Sequence, residues 1–216
     1  MKNNEVVEIL KKVGAFITDK HLVYTSRKHG TTYINKDALY PHTHETSQVC
    51  RMIAEKHKNL DIDVIVGPAL GGIILSQWTA YHLTDIKGKE VFGVYTDKTP
   101  ELQQIFKRGY DRFVINKNVL VVEDITTTGG SIKKVIDCVK ATRGRVVAAC
   151  SLVNRDQINV TPELLGVPFS SLATFNFPAY DEELCPMCKA NIPIDTMVGY
   201  GRQYLEEKKQ KKAHLQ

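Results

Sequence analysis

The stretch Val-Leu-Val-Val-Glu-Asp-Ile-Thr-Thr-Thr-Gly-Gly-Ser, residues 119–131, decides the fold of this chain. Its apolar start, 119–122, is typical of a buried parallel strand, because such strands are covered on both faces and read as continuous apolar runs. Beyond the glycines, apolar residues recur at helical spacing, at Ile132, Val135, Ile136 and Val139. The stretch therefore predicts a strand, a tight turn and a helix.

Two adjacent carboxylates, Glu123 and Asp124, follow the apolar run. They stand at the predicted C-terminal end of the strand, where open α/β sheets bind their ligands. A carboxylate only accepts hydrogen bonds, so the pair suits the vicinal hydroxyls of a sugar. The next residues supply hydroxyls and unobstructed amides at the start of a helix, where the helix dipole favours a phosphate. They are Thr126, Thr127, Thr128, Gly129, Gly130 and Ser131.

A solubilising surface turn and an ATP-binding P-loop both fit this stretch less well. A surface turn whose acids only keep the protein soluble leaves three consecutive threonines and two glycines without a role. A P-loop is excluded, because the pattern G-x-x-x-x-G-K-[ST] occurs nowhere in the chain. We infer a site for a sugar phosphate.

Helix and strand patterns alternate between residues 46 and 175. This alternation predicts βαβ crossovers and an α/β fold, with a mainly parallel sheet flanked by helices. The predicted helices are 5–15, 46–57, 73–83 and 131–142, and the predicted strands are 62–66, 91–95, 119–122, 146–153 and 170–175.

The composition is that of an ordinary globular protein of 216 residues, with 43% apolar and 25% charged residues. No apolar run approaches the roughly 20 residues of a membrane span, and the start at residues 1–4 lacks an apolar signal segment. We therefore expect a cytoplasmic protein that does not bind membranes. The net charge of +5 is concentrated near the C-terminus, at Lys208, Lys209, Lys211 and Lys212. We interpret these lysines as a solvated helix end rather than a nucleic-acid site.

Residues 119–131 resemble the signature of the type I phosphoribosyltransferases, which bind 5-phosphoribosyl-1-pyrophosphate (PRPP). The resemblance covers nearly the whole chain and implies a single domain over residues 1–216. Within it we expect an N-terminal hood segment at 1–45, an α/β core at 46–175 and a C-terminal extension at 176–216. The resemblance also implies a homodimer, and Mg²⁺ held mainly through the oxygens of PRPP rather than by protein ligands.

The resemblance assigns PRPP to two turns. One is the turn after 119–122, and the other is the small-residue turn after the predicted strand 62–66, whose bare backbone admits the pyrophosphate. Taken alone, this second turn could equally be a tight packing turn. Gly71 stands where many family members have a lysine. The implied PRPP contacts are Ala69, Leu70, Gly71, Gly72, Lys98, Glu123, Asp124, Ile125, Thr126, Thr127, Thr128, Gly129, Gly130 and Ser131.

Residues 94–101 and 106–110 resemble the short loop and basic hairpin of the orotate branch of this family. A lysine at the position of Lys98 there reaches PRPP, often across the dimer interface. Lys98 is therefore expected to be catalytic, together with Glu123 and Asp124. Lys107 and Arg108 are either further PRPP contacts or plain loop charges.

The base is expected to meet Lys28, Thr127 and Arg155. Arg155 follows the predicted strand 146–153 and matches the arginine that grips the carboxylate of orotate, since a guanidinium binds a carboxylate through two parallel hydrogen bonds. The alternative is a surface arginine paired with Asp156. Residues 24–33 resemble the hood of orotate enzymes, but Arg27 replaces a glycine and Gly30 a serine. We expect Arg27 to exclude a positive φ at that position.

Cys185 and Cys188 form a CPxC motif, and His42 and His44 are conceivable metal partners. A closed zinc site needs four ligands, and the motif provides two. The sequence therefore predicts a pair of thiols and no stoichiometric zinc, with a site shared across a dimer as the alternative.

Taken together, the resemblance implies transfer of a phosphoribosyl group from PRPP to orotate, which gives orotidine 5′-monophosphate and pyrophosphate. Two alternatives stay open. One is a phosphoribosyltransferase for a purine or another base, and the other is a regulator that binds PRPP without turnover.

Overall fold

The computed structural model describes residues 2–213, with the side chains of residues 5–210. The side chains of residues 1–4, and of Lys211 and Lys212 in the basic C-terminus, lie outside the described part. The elements are α1 (Lys2–Lys12), β1 (Phe16–Ile17), β2 (Leu22–Val23), β3 (His29–Gly30), β4 (Tyr33–Ile34), α2 (Thr43–His57), β5 (Val64–Pro68), α3 (Gly71–Lys87), β6 (Phe92–Lys98), β7 (Gln104–Ile105), β8 (Asn118–Thr126), α4 (Gly130–Ala141), β9 (Arg145–Asn154), α5 (Pro162–Leu165), β10 (Phe169–Thr174), α6 (Pro186–Lys189) and α7 (Gly201–Ala213).

The main sheet has the strand order β10-β9-β8-β5-β6-β7. Its strands are parallel except β7, which runs antiparallel to β6. The expected mainly parallel α/β fold is confirmed. Strands β6 and β7 lie on one side of β5, and the next strand in the chain, β8, lies on the other side. This reversal of direction makes the carboxyl ends of β5 and β8 the crevice in which such sheets bind ligands.

The strands are buried on both faces, which explains their continuous apolar runs. All five residues of β5 are buried, as is β8 from Asn118 to Asp124. On one face Val64, Val66, Val119 and Val121 pack against the apolar side of α4, formed by Ile132, Val135, Ile136 and Val139. This packing fixes the start of α4 next to the end of β8.

Strand β8 is longer than its apolar run predicts. Residues Glu123 to Thr126 continue to pair with β9, with Glu123 opposite Ser151 and Thr126 opposite Asn154. The prediction ended the strand at Val122 because the side chains become polar there. Backbone pairing with the neighbouring strand, which hydropathy does not report, carries the strand four residues further.

The chain divides into two compact units. The first consists of the sheet and its helices, Lys36–Asn176, with the N-terminal residues up to Ile9. The second consists of Leu10–Asn35 and the segment from Phe177 onward. Two short antiparallel pairs, β1 with β4 and β2 with β3, belong to the second unit.

None of the helices that the structure describes is both long and apolar enough to cross a membrane.

Candidate functional site

The two acids lie inside the end of β8 rather than after it. Glu123 and Asp124 are 5% and 4% exposed. Oε1 of Glu123 accepts a hydrogen bond from the Asp124 backbone at 3.1 Å. Its Oε2 atom is buried and has no hydrogen-bond partner among the described residues. Burial, followed by the charge of Asp124, raises the pKa of Glu123, and the Ser131 hydroxyl opposes that shift.

Asp124 accepts hydrogen bonds from a lysine and a tyrosine at the start of the segment Lys36–Asn176. The Lys36 ammonium donates to Oδ2 at 2.7 Å, and the Tyr40 hydroxyl donates to the same oxygen at 2.9 Å. Burial, the largest single effect, lowers the pKa of Lys36, but the charge and hydrogen bond of Asp124 and the charges of Asp37 and Glu123 together raise it above its ordinary value. Burial and Asp124 both raise the pKa of Tyr40. The site therefore has its own cation beside the acid pair.

No sequence pattern points to Lys36 and Tyr40. They stand 88 and 84 residues before Asp124 and belong to no motif. Lys36 begins a short 3-10 turn that no apolar period marks. Only the folded chain brings these residues to the acids.

The turn after β5 begins α3 beside Asp124. Ala69 donates its N–H to the carbonyl of Thr96, Leu70 is exposed, and Gly71 and Gly72 are buried. A Cβ at Gly71 would collide with Oδ2 of Asp124 and the hydroxyl of Tyr40. A Cβ at Gly72 would lie 2.6 Å from Cδ of Pro68. A side chain at position 71 therefore has no room here, and Lys36 approaches the acids from another part of the chain.

Gly71→Ala is expected to lower the free energy of unfolding by about 1 to 3 kcal/mol, because the new Cβ must separate Tyr40 from Asp124. Gly130→Ala is the matched control at the first residue of α4, where a Cβ would meet only the Thr128 hydroxyl at 3.5 Å. Urea unfolding of both variants measures the difference. Equal stability of the two variants would show that Gly71 is not needed for this contact.

The turn between β8 and α4 encloses a cavity of about 100 Å³. Gly129 directly precedes α4 and has a left-handed φ of 74°, which lets the backbone turn sharply from β8 into the helix. Thr127, Thr128, Gly130 and Ser131 are exposed. Because the first amides of a helix have no partner within it, this cavity offers donors and a positive dipole end to an anion.

Thr126 differs from its neighbours in this turn. It is 2% exposed, and its hydroxyl lies 3.3 Å from that of Ser151 and 3.2 Å from Oδ1 of Asn154. The hydroxyl of Thr126 thus faces β9, and its assignment to PRPP stays a prediction. Ile125 is half-buried and also lines the cavity.

Lys98 ends β6, where the antiparallel pairing with β7 forms a hairpin. Its side chain is exposed and makes no ion pair with the side chains that the structure describes. Arg108, in contrast, pairs with Asp97 at 2.7 Å and lies 5.8 Å from the centre of the Tyr95 ring. Lys107 is exposed. Both of these Arg108 contacts are with residues of β6.

Arg155 directly follows β9 and is half-buried. Its backbone N–H donates to the carbonyl of Thr126 at 2.9 Å. The carboxylate of Asp156, its proposed alternative partner, accepts hydrogen bonds from the backbone and side chain of Asn159 at 3.1 and 2.8 Å. The backbone of Arg155 is thereby attached to the end of β8, where the turn 126–131 begins.

Residues 24–33 belong to the second unit. Lys28 is exposed and lies 3.5 Å from Asp181. Arg27 has a φ of 64°, so the expectation that arginine excludes a positive φ is wrong. Its guanidinium pairs with Glu207 and reaches the Tyr200 hydroxyl, which offsets the backbone strain. Gly30 is needed because a Cβ there would collide with the Tyr24 hydroxyl, which donates to Thr32.

The premise of the zinc prediction is also wrong. Cys185 and Cys188 are not an isolated pair, because His21 and His29 of the same unit offer two further ligand atoms close by. The prediction considered His42 and His44, which stand at the start of α2 in the first unit. No sequence spacing connects His21 to a motif more than 160 residues away.

A family model described as "Phosphoribosyl transferase domain" matches residues 35–163. A protein of Thermoanaerobacter sp. named orotate phosphoribosyltransferase is 36% identical over 194 residues, which are 90% of this chain and 96% of that protein. A Thermotoga maritima protein of the same name is 36% identical over 191 residues, 88% of this chain and 95% of its own. The crystal structure of Mycobacterium tuberculosis orotate phosphoribosyltransferase with Fe(III) dicitrate matches with a TM-score of 0.65 at 20% identity. It covers 81% of this chain and 97% of that one, a likeness of fold.

Proposed function

Because this chain belongs to the phosphoribosyltransferase family, we propose that it is an orotate phosphoribosyltransferase. It transfers the phosphoribosyl group of PRPP to a ring nitrogen of orotate. The bond between ribose C1 and the pyrophosphate oxygen breaks, and orotidine 5′-monophosphate and pyrophosphate leave. The observation that carries this proposal is the attachment of Arg155 to the carbonyl of Thr126, beside the turn assigned to the 5′-phosphate.

The acid pair is assigned to the ribose hydroxyls. Oε2 of Glu123 is a buried acceptor without a partner among the described residues, and a donating hydroxyl would satisfy it. Oδ2 of Asp124 accepts from both Lys36 and Tyr40. Its Oδ1 accepts the N–H of Ile125 at 2.7 Å and keeps one further lone pair for a ribose hydroxyl. Lys36 adds positive charge where a pyrophosphate approaches the turn after β5. These contacts position the ribose and stabilise charge rather than take part in covalent chemistry.

Magnesium fits the donors of this site. Mg²⁺ prefers oxygen ligands, keeps several waters and needs few protein contacts. The oxygens of Glu123 and Asp124 at the end of β8 are suitable donors, and PRPP would supply most of the others. When bound, Mg²⁺ would offset negative charge on the departing pyrophosphate.

We further propose a homodimer in the cytoplasm. Lys98 is exposed at the end of β6, next to the turn of the β6–β7 hairpin, and would reach PRPP in a partner subunit. The five cysteines are unpaired, which suits a reducing compartment. Membranes and nucleic acids are not expected as partners.

Arg155→Ala is expected to raise the KM for orotate by about 30-fold to 10³-fold, because losing a bidentate contact to a carboxylate costs about 2 to 4 kcal/mol. The KM for PRPP should change little. Arg155→Lys should recover only part of the loss, since an ammonium cannot present two parallel donors. Steady-state kinetics with both substrates measures these effects.

Arg145→Ala is the control, because Arg145 is exposed at the opposite end of the same strand and bonds to Asn118. It should leave the KM for orotate unchanged. Equal effects of Arg145→Ala and Arg155→Ala would remove Arg155 from the base site.

A further inference from the structure

Four metal-binding side chains converge in the unit formed by Leu10–Asn35 and the segment from Phe177 onward. One ligand atom from each of His21, His29, Cys185 and Cys188 lies within 4.8 Å of the other three. Three of these residues are buried and Cys188 is half-buried. We name these four residues the Cys-His cluster. It lies outside the acid pair, both PRPP turns and the β6–β7 hairpin.

We propose that the Cys-His cluster is a structural zinc site. Zn–N distances near 2.0 Å and Zn–S distances near 2.3 Å place the ligand atoms of a tetrahedron roughly 3.3 to 3.8 Å apart. The Sγ of Cys188 lies 3.6 Å from Nε2 of His21 and 3.4 Å from Nδ1 of His29. The Sγ of Cys185 lies 3.7 Å from Nε2 of His21. These nitrogen–sulfur distances are those of a tetrahedral shell.

The two ring nitrogens are closer, at 2.8 Å. Insertion of zinc requires them to separate by about half an ångström, a small rotation of one imidazole ring.

The hydrogen bonds around the cluster orient its ligands. Nδ1 of His21 lies 2.6 Å from the carbonyl oxygen of Ile192. A carbonyl only accepts, so Nδ1 carries the proton and Nε2 presents its lone pair to the cluster. Sγ of Cys185 accepts the backbone N–H of Cys188 at 3.5 Å. The ring of Tyr204 packs edge-on against His29, with ring centres 5.3 Å apart.

The chemical types of the four ligands indicate which metal the cluster binds and what role that metal has. Two thiolates and two imidazoles in a tetrahedron suit zinc, whereas Mg²⁺ and Ca²⁺ take oxygen ligands. Four protein ligands close the coordination shell and leave no position for water or substrate. The site is therefore structural rather than catalytic.

Zinc here would join two distant parts of the chain. His21 directly precedes β2 and His29 lies in β3, so the histidines flank the hairpin that carries the loop 24–28. Cys185 directly precedes α6 and Cys188 lies within its single turn, more than 150 residues later. Each hairpin strand has only two residues, too few for stability by itself. Metal binding would supply folding free energy to this unit.

Metal analysis of the purified protein tests the proposal. Wild-type protein prepared without chelator should contain one zinc ion per chain, and Cys185→Ser with Cys188→Ser should lose essentially all of it. Cys138→Ser is the matched control, because Cys138 is a half-buried thiol on α4 in the other unit. It should keep its zinc. Metal-free wild-type protein that stays metal-free after incubation with zinc would overturn the proposal.

Two measurements on wild-type protein keep the test decisive if the double variant fails to fold. Cobalt(II) added to chelator-treated protein should give the absorption of a tetrahedral site with thiolate ligands. Alkylation should reach Cys185 and Cys188 only after chelator is added. Rapid alkylation of both thiols in zinc-treated protein, or a disulfide between them, would contradict the proposal. None of these readouts depends on turnover, so their failure is distinct from failure of the proposed enzymatic function.

Discussion

Glu123→Gln combined with Asp124→Asn is expected to abolish turnover while the fold stays intact. Both carboxylates are assigned to ribose hydroxyls, and an amide offers one acceptor atom where a carboxylate offers two. Burial and Asp124 raise the pKa of Glu123, so its ionisation costs the folded protein stability as the pH rises above the unfolded pKa. The neutral glutamine avoids that cost, whereas Asp124→Asn weakens the contact with the Lys36 ammonium, so the double variant should stay folded with a modestly lower melting temperature. Initial rates with PRPP and thermal unfolding measure the two effects.

Asp137→Asn is the matched control for this experiment. Asp137 is an exposed acid on α4 that pairs with Lys133 at 3.4 Å. It should leave both turnover and melting temperature unchanged. An undiminished kcat/KM for PRPP in the double variant would remove the acid pair from the site.

Lys98→Ala is expected to lower kcat by about 10²-fold to 10³-fold, the range seen when a donor that stabilises developing charge is removed. Affinity for PRPP should fall by less, because the charge that Lys98 meets grows as pyrophosphate departs. Comparison of kcat with PRPP affinity from calorimetry separates the two. Lys58→Ala is the control, because Lys58 is an exposed lysine just after α2 that pairs with Glu55, and this variant should keep its activity.

Mixing inactive subunits tests where Lys98 acts. If Lys98 reaches PRPP in the partner subunit, Lys98→Ala chains mixed with the Glu123→Gln, Asp124→Asn chains should regain part of the activity. Such a mixed dimer contains one site with both the acids and the lysine. A lysine that acts within its own subunit gives no regain, because neither chain then holds a complete site.

The fold was predictable where apolar residues form a continuous run, as in a buried strand, or recur at helical spacing. The buried strands have continuous apolar runs, and α4 has apolar residues at helical spacing, so both were found close to their bounds. The end of β8 was not, because the pairing of Glu123 to Thr126 with β9 involves backbone groups and leaves no trace in side-chain type.

The local structure of the candidate site was predictable where its residues are consecutive in the sequence. The turn 126–131 could be recognised because its threonines and glycines follow one another in the sequence. Lys36 and Tyr40 reach Asp124 from more than 80 residues away and could not be inferred. The same is true of His21 and His29 beside the CPxC motif, since a hairpin and a distant helix meet there only in the folded unit.

The most direct test of the proposed function is an assay of the wild-type protein with Mg²⁺, PRPP and a panel of bases. Each base should be incubated separately, and both pyrophosphate and the nucleotide product should be measured. We expect turnover of orotate and none of adenine, guanine or hypoxanthine, which carry no carboxylate for Arg155. Turnover of a purine without orotate would contradict the assigned substrate, and PRPP binding without turnover of any base would contradict the assignment as an enzyme.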